Sequence, residues 1–256
     1  MPDAADAPIL EFDPDPNAVF EPRHVVIPGE PAPTRAVLCF FSQVIDRLRR
    51  EGAPVLFELE AAHGIHPVFG FDADGGERVA VFHPGVGAAL AGGFLEESIA
   101  HGCQRFMAVG TAGGLAPRAI GHVIVPTFAI RDEGTSYHYQ PPGRSIEPTS
   151  DALDALLTTL KRHDVPFETG GTWTTDGFYR ETRAKVDRRI AEGCLAVEME
   201  ASALFAIARF RGVPIAQLLT TSDDLSGDEW SGFKLVDRDD FRWSLFLLAA
   251  EAVRAL

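Results

Sequence analysis

Residues 196–224 leave this chain little freedom. Residues 201–211 are mostly strong helix formers without proline, and Gly212 with Pro214 supplies a stop signal. Residues 215–221 form a short apolar run closing on Ser222, Asp223 and Asp224. That pattern reads as a buried strand and the loop beyond its C-terminal end. A crossover helix in a parallel sheet runs opposite to the strands, so a helix start and the end of the following strand share one edge. Glu198, Glu200 and Asp223 are therefore expected together, at the edge where such sheets bind ligands.

The preceding sequence repeats the strand-then-helix signature. Residues 36–41 read as the first core strand, with Ser42 as N-cap of an amphipathic helix over 43–50 that stops at Gly52. Strands are expected at 55–61 and 67–71, then a turn at Asp74-Gly75-Gly76 into a strand over 78–82. A glycine turn, His83-Pro84-Gly85-Val86-Gly87, leads to a helix from Ala88 to His101. The strand 105–109 opens into a glycine loop at 110–117, and 121–130 is a strand followed by a polar, aromatic loop at 131–139. Helix 151–163, strand 170–174, helix and turn up to 195, and an apolar closing helix over 241–256 complete the pattern. With 256 residues and no linker after about residue 36, one α/β domain over 36–256 is expected. Residues 1–35, rich in Pro, Asp and Glu, read as an N-terminal extended arm, with an edge strand and turn at 24–31.

Composition excludes several functions. A net charge of −14 without a basic run repels a phosphate backbone, so no nucleic-acid partner is expected. Cys39, Cys103 and Cys194 are widely spaced among apolar residues and suit buried thiols in a reducing cytoplasm. The acidic, Pro-rich start is unlike a signal peptide, and no run of about 18 apolar residues exists to enter a membrane. A cytoplasmic protein without membrane contact follows. His63, His66, His83 and His101 show no metal-ligand spacing, so no metal is invoked.

Two glycine segments point to ligand chemistry. Backbone N–H groups around Gly85 suit an anion, although the glycines also suit a tight turn alone. Gly110, Gly113 and Gly114 permit close backbone approach to a ligand, and Thr111 offers a hydroxyl. The spacing is not that of a dinucleotide-binding turn, and no helix follows directly.

Taken together, Val109-Gly110-Thr111-Ala112-Gly113-Gly114, Val197-Glu198-Met199-Glu200-Ala201 and Thr221-Ser222-Asp223 resemble the nucleoside phosphorylase and nucleosidase superfamily, of the hexameric purine phosphorylase and uridine phosphorylase type. The resemblance runs from about residue 79 to 224, and Glu-Met-Glu followed by Ser-Asp is its most specific part. It implies a nucleoside phosphorylase-like α/β fold with a central mixed twisted sheet flanked by helices. It implies cleavage of an N-glycosidic bond with inorganic phosphate as co-substrate, no cofactor, and a homo-oligomer, dimer or hexamer. Glu200 would accept the ribose hydroxyls with Met199 against the sugar and Glu198 assisting. Asp223 would protonate or hydrogen-bond purine N7, and Phe178 and Tyr179 would stack on the base. Gly85, Gly110 and Thr111 fall at the phosphate side.

The same residues admit a structural role: Glu198 and Glu200 as first-turn acids, Asp223 and Asp224 as caps, Phe178 and Tyr179 as core. The chain also departs from the family pattern. Ala108 stands where phosphorylases of this family carry an Arg, and the early Gly-Asp-Pro-x-Arg motif is represented only by Gly29-Glu30-Pro31. Ser42-Gln43 occupies the place of the water-activating glutamate of the methylthioadenosine nucleosidases. The resemblance slightly favours a purine over uridine, since uridine phosphorylases lack an acid at the place of Asp223 and Thr182 and Arg183 occupy the neighbourhood of their uracil-reading Gln and Arg, although residues 131–139 resemble the uridine phosphorylase loop better than the purine one. Hydrolytic nucleosidase and nucleoside binding without turnover are the alternatives.

Overall fold

The computed structural model describes residues 7–26, 32–62, 64–72, 76–117, 120–227, 230–232 and 239–256. Ten strands and six helices follow one another among them. They are β1 (Arg35–Cys39), α1 (Ser42–Arg50), β2 (Val55–Ala61), β3 (Gly64–Phe71), β4 (Val79–Phe82), α2 (Ala88–Ala100), β5 (Arg105–Gly114) and β6 (Val123–Asp132). After them come β7 (Ser145–Ile146), α3 (Ser150–Arg162), β8 (Glu168–Thr175), α4 (Arg183–Ala191), β9 (Cys194–Glu198), α5 (Ala201–Arg211), β10 (Ile215–Asp224) and α6 (Asp239–Arg254).

Alternation along the central strands builds two cores, because successive side chains point to opposite faces. Val37, Cys39, Val81, Met107 and Val109 face α1, α3 and α6. Ala36, Leu38, Phe82, Phe106 and Ala108 face α2 and α5. Both faces are covered, as the near-continuous apolar strands require. Helix α6 buries Leu245, Phe246, Ala249, Ala250 and Val253, the face expected of the closing helix. Helix α5 is buried from Ala201 to Ala208 and ends on Gly212 at φ 69°, a left-handed cap that glycine adopts without a Cβ penalty. The three cysteines are free and buried, and burial pushes each thiol up to about 12.

The sheet is mixed, as expected, and it also closes. Strands β4, β1, β5 and β10 run parallel in that order, with β3 and β2 added antiparallel at one side. β10 pairs antiparallel with β6, and β6, β8 and β9 continue in parallel. β9 then returns to pair with Gly113 and Gly114 of β5, so β5, β10, β6, β8 and β9 form a ring.

Several expectations are corrected here. Residues 110–114 are the bent end of β5 instead of a loop, because they pair with β10 on one side and β9 on the other. A Cβ on Gly113 would lie 2.5 Å from Leu225 Cδ1 and 3.0 Å from Val197 Cγ1, so the ring closes this tightly only on glycine. Residues 222–224 likewise belong to β10, reached through a bulge between Thr221 and Asp223. Residues 194–198 are the strand β9, which starts within the helix and turn expected up to 195. Ser42 is the first residue of α1, not its side-chain cap; Phe41 holds the cap position without a side-chain bond. Pro22–His24 is a 3₁₀ turn and not an edge strand, while 27–31, including Gly29-Glu30-Pro31, lie outside the described residues, as do 73–75 of the expected turn. Arg211 Nη1 donates to the Pro16 carbonyl at 3.1 Å, fastening the N-terminal segment to α5.

Candidate active site

The ring brings three strand ends to one rim. Thr111, Ala112 and Gly113 of β5, Val197 and Glu198 of β9 with Met199, and Ser222 and Asp223 of β10 line a cavity of about 740 Å³. This is within the ~300–1,000 Å³ usual for small-molecule sites. Phe178, Tyr179 and Glu181 form one wall, Leu225 and Trp230 another. Phe178 and Tyr179 are 49% and 89% exposed, so they are not core residues. Their rings lie 4.1 Å apart between centroids at 44°.

The strand-to-helix bend at 198–201 is held by Glu198. Its Oε2 accepts the N–H groups of Glu200 and Ala201 at 2.7 and 2.6 Å, satisfying donors that the start of α5 leaves free. Its Oε1 accepts the hydroxyls of Thr174 at 2.7 Å and Thr172 at 3.3 Å. Glu200, at the N-cap position, turns the other way: Oε1 accepts the Gly87 N–H at 2.6 Å. Gly87 and Gly85 sit at φ 92° and 80°, and a Cβ on Gly85 would lie 2.2 Å from Leu90 Cδ2. The turn needs glycine at 85 for both reasons.

Burial pushes both carboxyls upward, Glu198 against four hydrogen bonds that favour its charged form. Glu200 is pushed up to about 8 by burial and then by the charge of Glu198, with the Gly87 N–H working against them.

Asp223 is held from two sides. Its Oδ1 accepts the Ser222 hydroxyl and its Oδ2 the Trp230 indole N–H, each at 2.9 Å. Glu181 faces it across the cavity wall. Burial, then the charge of Asp223, push Glu181 up to about 7, with Lys185 opposing.

Of the residues singled out in the sequence, Thr111, Phe178, Tyr179, Glu198, Met199 and Asp223 line the cavity, and Gly85, Gly110 and Glu200 are not among its lining. Gly110 packs on Phe40, where a Cβ would lie 3.0 Å from the Phe40 Cβ. Ala108 is fully buried in the core under α2 and α5. Gln43 lines a separate hollow of about 310 Å³ with Arg47, Asp239 and Trp243. Arg183 Nη1 is spent on the carbonyls of Leu225, Ser226 and Gly227. Glu181 and Trp230 were not anticipated. Glu181 could have been noticed three residues after Phe178, on the same turn; Trp230 carries no sequence signal of its own.

Comparison with known proteins agrees with this architecture. Residues 34–245 match the family described as the phosphorylase superfamily. A guanosine phosphorylase of Halorubrum lacusprofundi is 31% identical over 166 residues, 64% of this chain and 68% of the relative. A uridine phosphorylase of Treponema pallidum is 33% identical over 153 residues, 55% of this chain and 59% of the relative. Among solved structures, a purine nucleoside phosphorylase of Toxoplasma gondii superposes with a TM-score of 0.73 at 19% identity, covering 88% of this chain and 92% of its own. With the match spanning the ring, both cores and every rim segment, the chain belongs to the phosphorylase superfamily.

Proposed function

We propose that the protein cleaves the N-glycosidic bond of a nucleoside by phosphorolysis, with a purine favoured over uridine. The observation that carries this reading is the meeting of Thr111, Met199, Asp223 and the exposed Phe178–Tyr179 pair around one cavity. Bond breaking leaves positive charge on the sugar and negative charge on the base. Glu200, anchored by Gly87, accepts ribose hydroxyls in its ionised form, and Met199 packs on the sugar. Glu198 acts on the ribose indirectly, by fixing the bend that presents both. Phe178 and Tyr179 stack on the base and Asp223 hydrogen-bonds it. The hydroxyl of Thr111, on the cavity lining, receives phosphate, whose oxygen attacks C1′ as the base leaves; the Gly85 N–H, donated to His83 Nδ1 at 3.1 Å, takes no part. The protein works in the cytoplasm as a homo-oligomer, without a cofactor and without nucleic-acid or membrane partners. No helix among the described residues is long and apolar enough to cross a membrane.

A second reading, hydrolysis by water, is favoured by one observation: among the described residues no Lys or Arg lines the cavity. Incubation with inosine, guanosine, adenosine, uridine and methylthioadenosine, with and without phosphate, separates the two. Base release that requires phosphate, with ribose 1-phosphate as co-product, is expected. Release unchanged by removing phosphate would establish hydrolysis instead, and binding without release would exclude both.

A further inference from the structure

Among the described residues three carboxylic acids line the cavity, and their surroundings suit them to different work. Glu198 is committed to four hydrogen bonds within the fold. Asp223 accepts one hydrogen bond on each oxygen, from Ser222 and from Trp230. Both oxygens are already engaged as acceptors, so this side chain is held in place by its neighbours. Glu181 differs: it lines the same cavity, half-buried beside the aromatic pair, and no hydrogen bond from a described residue reaches its carboxyl. The charged groups that face it are Asp223 from β10 and Lys185 from α4.

The geometry points to Glu181 as the acid that protonates the leaving base, with Asp223 orienting the ring. This rests on the reading that the protein cleaves an N-glycosidic bond. As the C1′–N9 bond of a purine nucleoside breaks, its electron pair passes to the base. The proton of Glu181 moves to a ring nitrogen of the departing base, the base leaves neutral, and Glu181 remains as a carboxylate. The phosphate oxygen takes the vacated bond at C1′, and Glu181 regains its proton from water once the product has gone. A general acid works best when it titrates near the operating pH, and burial with the negative charge of Asp223 pushes Glu181 up to about 7. Its acid form is present below that pH and lost above it.

The test is Glu181→Gln, assayed on inosine and on 7-methylinosine in parallel with wild type. The methylated base already carries its positive charge and departs neutral without a proton. Removing a general acid is expected to lower kcat on inosine about 100-fold, to leave 7-methylinosine cleavage within about threefold, and to abolish the alkaline loss of activity on inosine that the Glu181 acid form imposes. Equal losses on both nucleosides, or none on either, would overturn the assignment. So would Asp223→Asn showing the selective loss in its place. Unchanged thermal unfolding of Glu181→Gln verifies that the fold is intact. Should wild type release no base from either nucleoside, the glycosidic-cleavage reading itself fails, a result separate from failure of the Glu181 assignment.

Discussion

Replacing Glu198 separates a residue that shapes the site from one that touches the sugar. In Glu198→Ala two buried N–H groups, those of Glu200 and Ala201, lose acceptors now 2.7 and 2.6 Å away. Each orphaned donor costs about 1–3 kcal/mol. Of the two threonine hydroxyls, Thr172 can still donate to the Ala196 carbonyl, whereas Thr174 keeps only the bond it accepts from the Ser202 N–H and its own proton is left without an acceptor. A total near 3 kcal/mol corresponds to a fall in Tm of about 6–12 °C for a chain of this size. Glu198→Gln keeps an acceptor for the two N–H groups and gives up charge assistance, so its cost is nearer to about 1 kcal/mol. It also removes the negative charge that helps hold Glu200 at about 8, so the acidic limb of kcat/KM shifts to lower pH. Thermal unfolding at pH 7 and phosphorolysis from pH 5.5 to 9 measure both effects. A Glu198→Gln protein with unaltered Tm but no nucleoside binding would show that Glu198 contacts the ribose directly, and this account of the bend would be wrong.

Three further outcomes follow from the contacts. Glu200→Gln is expected to depress kcat/KM and to make the fold more stable at pH 8 than wild type. A carboxyl raised from 4.5 to about 8 binds more protons folded than unfolded, so wild-type stability falls as pH climbs through that window. Tm measured against pH should therefore slope less steeply in the variant, and identical slopes would refute the assigned shift. Gly113→Ala forces a Cβ to within 2.5 Å of Leu225 and 3.0 Å of Val197; overpacking of about 1–3 kcal/mol, seen in urea unfolding, should come with a lower affinity for nucleoside, and a neutral substitution would contradict the tight closure. Arg211→Ala strips Glu96, whose side chain is 8% exposed, of all three guanidinium contacts. Breaking a buried pair costs about 3–5 kcal/mol, and calorimetry showing under about 1 kcal/mol would mean the pair is effectively solvated.

Much of the architecture was legible in local pattern. The helix-to-strand unit at 201–221, the stop at Gly212 and the apolar closing helix each depend on short-range chemistry: helix formers, a left-handed cap, one continuous apolar face. Five-residue β9 was not legible, because Cys194 to Glu198 runs without a break into the helix-forming Met199 to Ala203, and its strand pairing comes from β8 and β5, distant in sequence. The glycines at 110–114 read locally as a loop for the same reason. Only their partners β9 and β10 make them strand.

The sequence by itself sent Glu198 and Asp223 to one edge, since a crossover helix runs opposite to the parallel strands and brings its start beside the end of the following strand. It did not determine how the acids divide their work. Glu198 and Glu200, two residues apart, point to different partners because the chain turns from strand to helix between them, so one caps α5 while the other meets Gly87. Glu181 became a candidate acid only through the fold, which buries it beside Asp223, 42 residues on. A carboxyl's hydrogen bonds and burial belong to its three-dimensional neighbours, and those are set by ring closure, not by any motif.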